Sequence, residues 1–118
     1  MVAKRFRFPK SRRLRRRADF ERVRREGRAE HGRLLVLSVL SGTGEFRAGF
    51  VTSSAIGGAV ARNRVRRRLR EVVRRHQHEI RSENWIVTIA RVPAASATFQ
   101  QLEGEWLRLA QRASILAA

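Results

Sequence analysis

Residues 56–71 run Ile-Gly-Gly-Ala-Val-Ala-Arg-Asn-Arg-Val-Arg-Arg-Arg-Leu-Arg-Glu, and this stretch decides how the chain folds. The two glycines break the chain, so we predict a helix that begins within one or two residues of Ala59. Apolar residues at helical spacing form one stripe on that helix, namely Ala61, Val65, Leu69, Val72, Val73 and Ile80. Arginines occupy most of the remaining circumference. We therefore expect one side of the helix to pack and the other to bind a partner.

The whole chain is strongly basic. Among 118 residues, 27 are Lys or Arg and 10 are Asp or Glu, which gives a formal net charge of +17. Self-repulsion of this charge opposes compaction, so the excess indicates a partner that supplies many phosphates. We expect nucleic acid rather than a membrane, because no stretch approaches the roughly 18 consecutive apolar residues of a spanning helix. The chain has no cysteine and no apolar run near its N-terminus, so a cytoplasmic location is expected.

The arginines of the predicted helix are too concentrated to be an ordinary solvated face. On a helical wheel, the side opposite the apolar stripe carries Asn63, Arg67, Arg70 and Arg74, and one shoulder carries Arg64, Arg68 and Arg75. Arg66 lies on the other shoulder, while Arg62 could reach RNA or brace the loop before the helix. Like charges three or four residues apart destabilise a helix by a few tenths of a kcal/mol per pair. Glu71 is nearly the only acidic residue that offsets these positive charges. A partner outside the chain is therefore expected to neutralise the arginines.

The remaining pattern predicts one α+β domain at residues 17–118, preceded by a mobile basic arm at residues 1–16 that lacks the apolar periodicity needed to bury a face. A short helix is expected at residues 18–26, closed by Gly27. Residues 33–40 and 46–52 are interpreted as the two strands of a hairpin, and a further short strand is possible near residues 28–30. Residues 84–90 are almost continuously apolar, which predicts a central strand. Thr98 and Gln101 form a plausible capping box before a second amphipathic helix that contains Phe99, Leu102, Trp106, Leu109 and Ala113.

The sequence offers little for catalysis or metal binding. Asp19 is the only aspartate, and the glutamates are not spaced to clamp two metal ions. His76 and His78 diverge by about 200° on a helix, so they would not share a face. We therefore predict no catalytic residue and no metal ligand in this chain.

Several segments resemble the bacterial ribonuclease P protein family. The family motif runs Gly-x-Ala-Val-x-Arg-Asn-Arg, followed by an apolar residue and further basic residues, and residues 57–68 match it closely. Arg13-Leu-Arg-Arg together with Asp19-Phe20 resembles the family's opening helix. Residues 85–93 resemble its last strand and the Ala-Arg-x-Pro turn. The similarity runs from about residue 11 to residue 116.

The resemblance implies a fold, a function and partners. The fold would be an α/β sandwich with a mixed sheet and a left-handed β-α-β crossover around the arginine-rich helix. The protein would be a subunit of an endoribonuclease that matures the 5′ end of tRNA, in a 1:1 complex with a catalytic RNA. That RNA, and not the protein, would hold the catalytic Mg²⁺. A cleft between the first helix and the sheet would bind the single-stranded 5′ leader of precursor tRNA.

The resemblance also assigns residues to the two RNA partners. Contacts to the RNA subunit are expected from Arg62, Asn63, Arg64, Arg66, Arg67, Arg68, Arg70 and Arg74. Contacts to the leader are expected from Arg12, Arg13, Arg15, Arg16, Phe20 and Arg24. Stacking of an unpaired base on Phe20 suits the leader role, although a core phenylalanine on a short helix is the alternative.

Four positions depart from the family pattern. Arg24 stands where relatives usually have a second aromatic residue, Ser38 where the first long strand often has a tyrosine, and Ser54-Ala55 where a basic pair is usual. These departures predict a smaller stacking surface and a steeper dependence of leader affinity on salt. A structural RNA-binding protein of the ribosome is the alternative function, because it would share the size, the charge and the arginine-rich helix.

Overall fold

The apolar run at residues 84–90 forms strand β4 (Asn84–Ala90), which lies inside the sheet as predicted. The computed structural model describes residues 9–117. Strand β4 pairs antiparallel with β2 (Leu35–Ser41) and parallel with β3 (Arg47–Thr52). A short strand, β1 (Arg28–His31), pairs antiparallel with β2. The order across the sheet is therefore β1-β2-β4-β3.

The predicted hairpin between residues 33–40 and 46–52 is wrong. Strands β2 and β3 do not pair with each other, because β4 lies between them and pairs with both. A strand that is apolar on both faces gains most from a position where both faces are covered. The short strand near residues 28–30 is confirmed as β1, and it forms the hairpin with β2.

The sheet is covered by helices on both faces. Helix α2 (Ala59–His76) connects the parallel strands β3 and β4, and it packs on the same face as helix α3 (Phe99–Arg112). Helix α1 (Arg17–Glu26) contributes to a smaller apolar cluster on the other face. The α/β sandwich with a mixed sheet and a β-α-β crossover is thus confirmed. In residues 9–117 no helix is long and apolar enough to cross a membrane.

The larger core lies between the sheet and helices α2 and α3. Four residues of the predicted apolar stripe are buried on α2, where Val65, Leu69, Val72 and Val73 are each at most 1% exposed. Ala61 is half-buried, and Ile80 is buried but lies beyond the end of the helix. Trp106 fills the space beneath α3, and its indole N–H donates to Thr88 Oγ1 at 3.1 Å. The predicted capping box is also present at the start of α3. These contacts fix the position of α2 on the sheet.

The segment before α1 packs on the edge of strand β3. Leu14 is buried, and its backbone N–H donates to the carbonyl of Ala48 at 2.9 Å. Arg13 forms an isolated parallel bridge with the same residue. The burial of Leu14 was not predicted, since one leucine among arginines produces no periodic signal. Residues 1–8 of the predicted arm lie outside the described residues.

Gly49 in strand β3 allows Phe20 of helix α1 to lie directly on the sheet. A Cβ atom built on Gly49 would lie 2.5 Å from both Cε1 and Cζ of the Phe20 ring. Real side chains do not approach so closely, so any larger residue at 49 would displace the ring. Glycine inside a strand commonly marks such a close approach.

We predict that Gly49→Ala lowers the free energy of unfolding by about 1–3 kcal/mol, because the added methyl group overpacks the contact with Phe20. Urea denaturation measures this loss. In the double variant Gly49→Ala/Phe20→Ala the ring is absent, so the combined loss should be smaller than the sum of the two single losses. Additive losses would show that the two residues do not constrain each other.

His76 connects the end of helix α2 to helix α3. Its Nδ1 lies 2.7 Å from Glu79 Oε2 and its Nε2 lies 2.9 Å from Glu103 Oε2, while its ring stacks on Trp106. Burial lowers the pKa of His76, but the hydrogen bonds with Glu79 and Glu103 outweigh burial and raise the pKa above the ordinary value of 6.5. The protonated imidazole therefore stabilises the folded state.

We predict that this stabilisation is fully present below about pH 6.5 and is lost as the pH rises through the higher folded-state pKa of His76. Urea unfolding from about pH 6 to pH 9 would measure it. The variant His76→Gln keeps a hydrogen-bonding side chain that does not titrate. Its free energy of unfolding should therefore fall less than that of the wild type as the pH rises. Parallel pH profiles for the two proteins would contradict the prediction.

Candidate nucleic-acid interface

The exposed side of helix α2 carries eight arginines and a single glutamate. Glu71 lies 2.6 Å from Arg74 and 3.0 Å from Arg75. The hydrogen bond from Arg74, with a smaller one from Arg75, overcomes burial and lowers the pKa of Glu71 to about 2. This carboxylate is therefore fully ionised and engaged with two of the eight arginines. Within residues 9–117, no ion pair neutralises the other six, which are Arg62, Arg64, Arg66, Arg67, Arg68 and Arg70.

Three of these six arginines are anchored by neutral groups. Arg62 donates to the carbonyl of Gly57 at 3.1 Å, so it braces the loop before the helix. Arg66 donates to Asn63 Oδ1 at 2.9 Å and to Thr52 Oγ1 at 2.7 Å. Arg68 donates to the carbonyl of Ala97 at 2.9 Å. Because a guanidinium has five N–H donors, each anchor orients the group and leaves other donors for a ligand.

A cleft of about 250 Å³ lies beside the edge of strand β3, between α2 and the chain segment that leads into α1. We call it the β3 cleft. Its lining consists of Arg13, Leu14, Arg15, Phe20, Ala48, Gly49, Phe50, Arg66 and Arg70. Two aromatic residues and four arginines therefore share one concave surface.

Arg70 is a partly buried arginine of this cleft. Its Nε atom is buried and has no hydrogen-bond partner within residues 9–117. Burial, followed by repulsion from Arg13 and Arg66, lowers the pKa of Arg70 below its ordinary value. A desolvated cation without a counter-charge is energetically unfavourable. The β3 cleft is thus prepared to accept an anion.

The β3 cleft contains only part of the residue set that the sequence assigned to the leader. Arg13, Arg15 and Phe20 line it. Arg12 instead donates to Gln77 Oε1 at 2.9 Å, beneath the end of α2. Arg16 lines a neighbouring depression together with Arg15, Asp19, Glu45, Arg47 and Trp85. Arg24 is exposed on α1 and is not part of the cleft lining.

The residue set assigned to the RNA subunit is divided between several surroundings. Arg66 and Arg70 line the β3 cleft, so they lie with the leader set. Asn63 and Arg67 are exposed on the open side of the helix, and Arg74 is held by Glu71. Arg64 and Arg68 line a separate pocket beside helix α3.

Sequence reasoning missed the floor of the β3 cleft, which is formed by Leu14, Ala48, Gly49 and Phe50. Small and apolar residues in a strand usually indicate packing, so nothing at Leu14 or Ala48 pointed to a binding surface. The glycine inside the strand at 49 was the one available signal. In the described part of the chain, no three His, Asp or Glu side chains come together as a possible metal site.

Comparison with known proteins identifies relatives along nearly the whole chain. The family model "Ribonuclease P" matches residues 8–114. A ribonuclease P protein component from Halalkalibacterium halodurans is 38% identical over 91% of this chain and 92% of its own length. One from a Roseiflexus species is 44% identical over 90% of this chain and 88% of its own length.

Solved structures of the same kind have the same fold. The RNase P protein of Staphylococcus aureus aligns with a TM-score of 0.83 at 29% identity, covering 91% of this chain and 99% of that one. The RNase P protein of Thermotoga maritima aligns with a TM-score of 0.77 at 28% identity, covering 85% of this chain and 96% of that one. With its arginine-rich helix, its sheet order and these relatives in agreement, the chain belongs to the ribonuclease P protein family.

Proposed function

We propose that this chain is the RNA-binding subunit of a bacterial ribonuclease P. Helix α2 binds the catalytic RNA subunit, and the β3 cleft binds the single-stranded 5′ leader of precursor tRNA. The observation that carries the proposal is the β3 cleft itself, whose lining combines Phe20 and Phe50 with Arg70, and the buried Nε of Arg70 has no hydrogen-bond partner among residues 9–117. Unpaired nucleotides offer bases that stack on aromatic rings and phosphates that pair with guanidinium groups.

The protein contributes binding rather than bond breaking. The reaction is endonucleolytic hydrolysis of one phosphodiester bond at the 5′ end of the tRNA, and Mg²⁺ held by the RNA subunit supplies its chemistry. Positive charge on α2 and in the β3 cleft lowers the repulsion between the two RNAs, so less Mg²⁺ is required. Because only the precursor has a leader, binding energy in the cleft favours precursor over mature tRNA. The protein acts as a cytoplasmic monomer in a 1:1 complex with the RNA.

A structural RNA-binding protein of the ribosome is the competing function. It would account for the charge of α2, but it would give no role to a cleft that combines aromatic rings with Arg70, whose Nε has no hydrogen-bond partner within residues 9–117. Sequencing of the RNA that co-purifies with the chain separates the two functions. Enrichment of ribonuclease P RNA supports the proposal, whereas enrichment of ribosomal RNA alone would favour the ribosomal function.

Reconstitution tests the proposal directly. Added to a bacterial ribonuclease P RNA at low Mg²⁺, the protein is expected to restore correct 5′ cleavage of precursor tRNA, because its cations substitute for part of the metal-ion screening. Gel analysis of the 5′ product measures the rate. A basic protein of similar charge but different fold serves as the control. Stimulation no greater than that of the control would refute the function.

For Phe20→Leu we predict weaker binding of precursor tRNA to the reconstituted enzyme by about 5- to 100-fold, the equivalent of one lost base stack. Leucine keeps apolar contact with the sheet and removes the ring. The affinity for mature tRNA should stay unchanged, since mature tRNA has no leader. Equal weakening for precursor and mature tRNA, with an equal loss of thermal stability, would indicate that Phe20 is only a core residue.

A further inference from the structure

The chain segment before helix α1 forms one wall of the β3 cleft. Three consecutive residues of this segment, Arg13, Leu14 and Arg15, are part of the cleft lining. The segment lies along the edge of strand β3, where the backbone N–H of Leu14 donates to the carbonyl of Ala48 at 2.9 Å. We call residues 10–15 the edge segment. The shape of the cleft therefore depends on how firmly the edge segment is held.

Arg12 attaches the edge segment to the end of helix α2. Its guanidinium group donates to Gln77 Oε1 at 2.9 Å and lies 5.9 Å from the ring centroid of Phe46. Gln77 is 4% exposed, and its Nε2 donates to the carbonyl of Arg74 in the last turn of the helix at 3.0 Å. The amide group of Gln77 therefore joins α2 to the edge segment. We call the Arg12–Gln77 pair the clasp.

The turn that carries Gln77 is held by the C-terminal residues. Gln77 begins a short 3₁₀ turn that ends at Glu79. The backbone N–H of Ala117 donates to the carbonyl of Glu79 at 2.6 Å, and the backbone N–H of Arg81 donates to the carbonyl of Ile115 at 2.7 Å. Ile115 is 1% exposed and belongs to the larger core. The turn is therefore fixed to the core independently of the edge segment.

Electrostatic repulsion opposes the docking of the edge segment. Burial, followed by repulsion from Arg13, lowers the pKa of Arg70 on the other side of the cleft. Arg13 is thus held near a like charge. The burial of Leu14 and the clasp act against this repulsion. Because the Cα atoms of consecutive residues are about 3.8 Å apart, Arg12 cannot move away from Gln77 without shifting Arg13 as well.

We infer that Gln77 is a positioning residue for the β3 cleft: through Arg12 it holds the edge segment, and with it one wall of the cleft, in the position that binds the leader. Gln77 does not itself line the cleft, so it acts through the edge segment. Arg12 belongs to the clasp and does not contact the leader. This inference rests on the proposed function, because it assumes that the β3 cleft binds the leader.

Four variants separate the clasp from other roles of Gln77. Gln77→Met keeps the length of the side chain and removes the acceptor for Arg12. Gln77→Glu restores an acceptor for Arg12 but offers no donor to the carbonyl of Arg74. Arg12→Met removes the same hydrogen bond from the other side and leaves the end of α2 unchanged. The matched control is Gln100→Met, since Gln100 is an exposed glutamine of α3 that does not line the cleft.

Amide hydrogen exchange of the free full-length protein measures docking of the edge segment. The N–H of Leu14 is protected by its bond to Ala48, so its exchange rate rises when the segment is released. Gln77→Met and Arg12→Met are expected to raise this rate by about 3- to 30-fold relative to that of Ile86 in β4, as for the loss of one hydrogen bond to a charged group. Gln77→Glu and Gln100→Met should exchange like the wild type.

Titration of the reconstituted complex measures the effect on the leader. Because a cleft that is formed for only part of the time binds more weakly by that fraction, precursor tRNA should bind Gln77→Met about 3- to 30-fold more weakly than the wild type. The affinities for mature tRNA and for the RNA subunit should stay unchanged. The double variant Arg12→Met/Gln77→Met should bind precursor no more weakly than the weaker single variant, since both remove one interaction.

Several results would overturn the inference and leave the proposed function intact. Unchanged exchange of Leu14 in Gln77→Met would show that the clasp does not hold the edge segment, and an unchanged ratio of precursor to mature affinity would show that the wall does not act on the leader. Additive losses for Arg12→Met and Gln77→Met would make Arg12 a direct leader contact. Equal defects in Gln77→Met and Gln77→Glu would assign Gln77 to the end of α2 alone.

Two further outcomes are distinguishable from these. If Gln77→Met does not fold, Arg12→Met carries the same test, because it removes the clasp without changing the turn after α2. If the wild-type complex binds precursor and mature tRNA equally well, the proposed function is overturned, and this inference with it.

Discussion

The fold depends on an apolar stripe that holds a strongly charged helix against the sheet. Each like-charged pair on α2 costs about 0.2–0.5 kcal/mol. Each fully buried valine or leucine contributes about 1.5–3 kcal/mol. Val65, Leu69, Val72 and Val73 are almost completely buried, so burial exceeds repulsion even when these areas are treated as upper bounds. The helix can therefore expose the six arginines that Glu71 does not engage without a counter-charge from residues 9–117.

The remaining repulsion is not spread evenly over the surface. Arginines such as Arg64 and Arg67 extend into water, where repulsion is weak and salt screens it. Arg70 is different, because its Nε is buried near Arg13 and Arg66. Repulsion between arginines therefore acts in the β3 cleft, where the surface is also concave and lined by aromatic rings. Binding an anionic strand there would relieve this unfavourable interaction.

The sequence predicted those features that depend on the local spacing of apolar residues or on a short motif. The stripe of α2, the interior position of β4 and the capping box of Thr98 and Gln101 were all predicted, because each depends on neighbouring residues. The pairing of strands across the sheet was not predicted. The turn residues at 41–44 favoured a hairpin, but β4 competes for the same edges and its insertion depends on contacts more than 30 residues away in sequence.

The limits of sequence reasoning at the site have the same physical origin. The helical wheel placed Arg66 on a shoulder of α2 and Arg70 opposite the apolar stripe, but it did not indicate what either side chain would face. Both line the β3 cleft because β3 and the segment around Leu14 lie beside them. Gly49 belongs to the same long-range arrangement, since its small size matters only once Phe20 lies on it.

The structure shows where two of the departures from the family pattern, Ser38 and Arg24, lie relative to the β3 cleft. Ser38 is buried in β2, where it pairs with Val87, and Arg24 is exposed on α1; neither lines the β3 cleft. The cleft therefore presents two rings and four guanidinium groups, so groups that can contact a phosphate outnumber rings on which a base can stack. Phosphate contacts position a nucleic acid strand, whereas base contacts specify its sequence. Under the proposed function this balance would be useful, because the cleft would have to hold leaders of unrelated sequence.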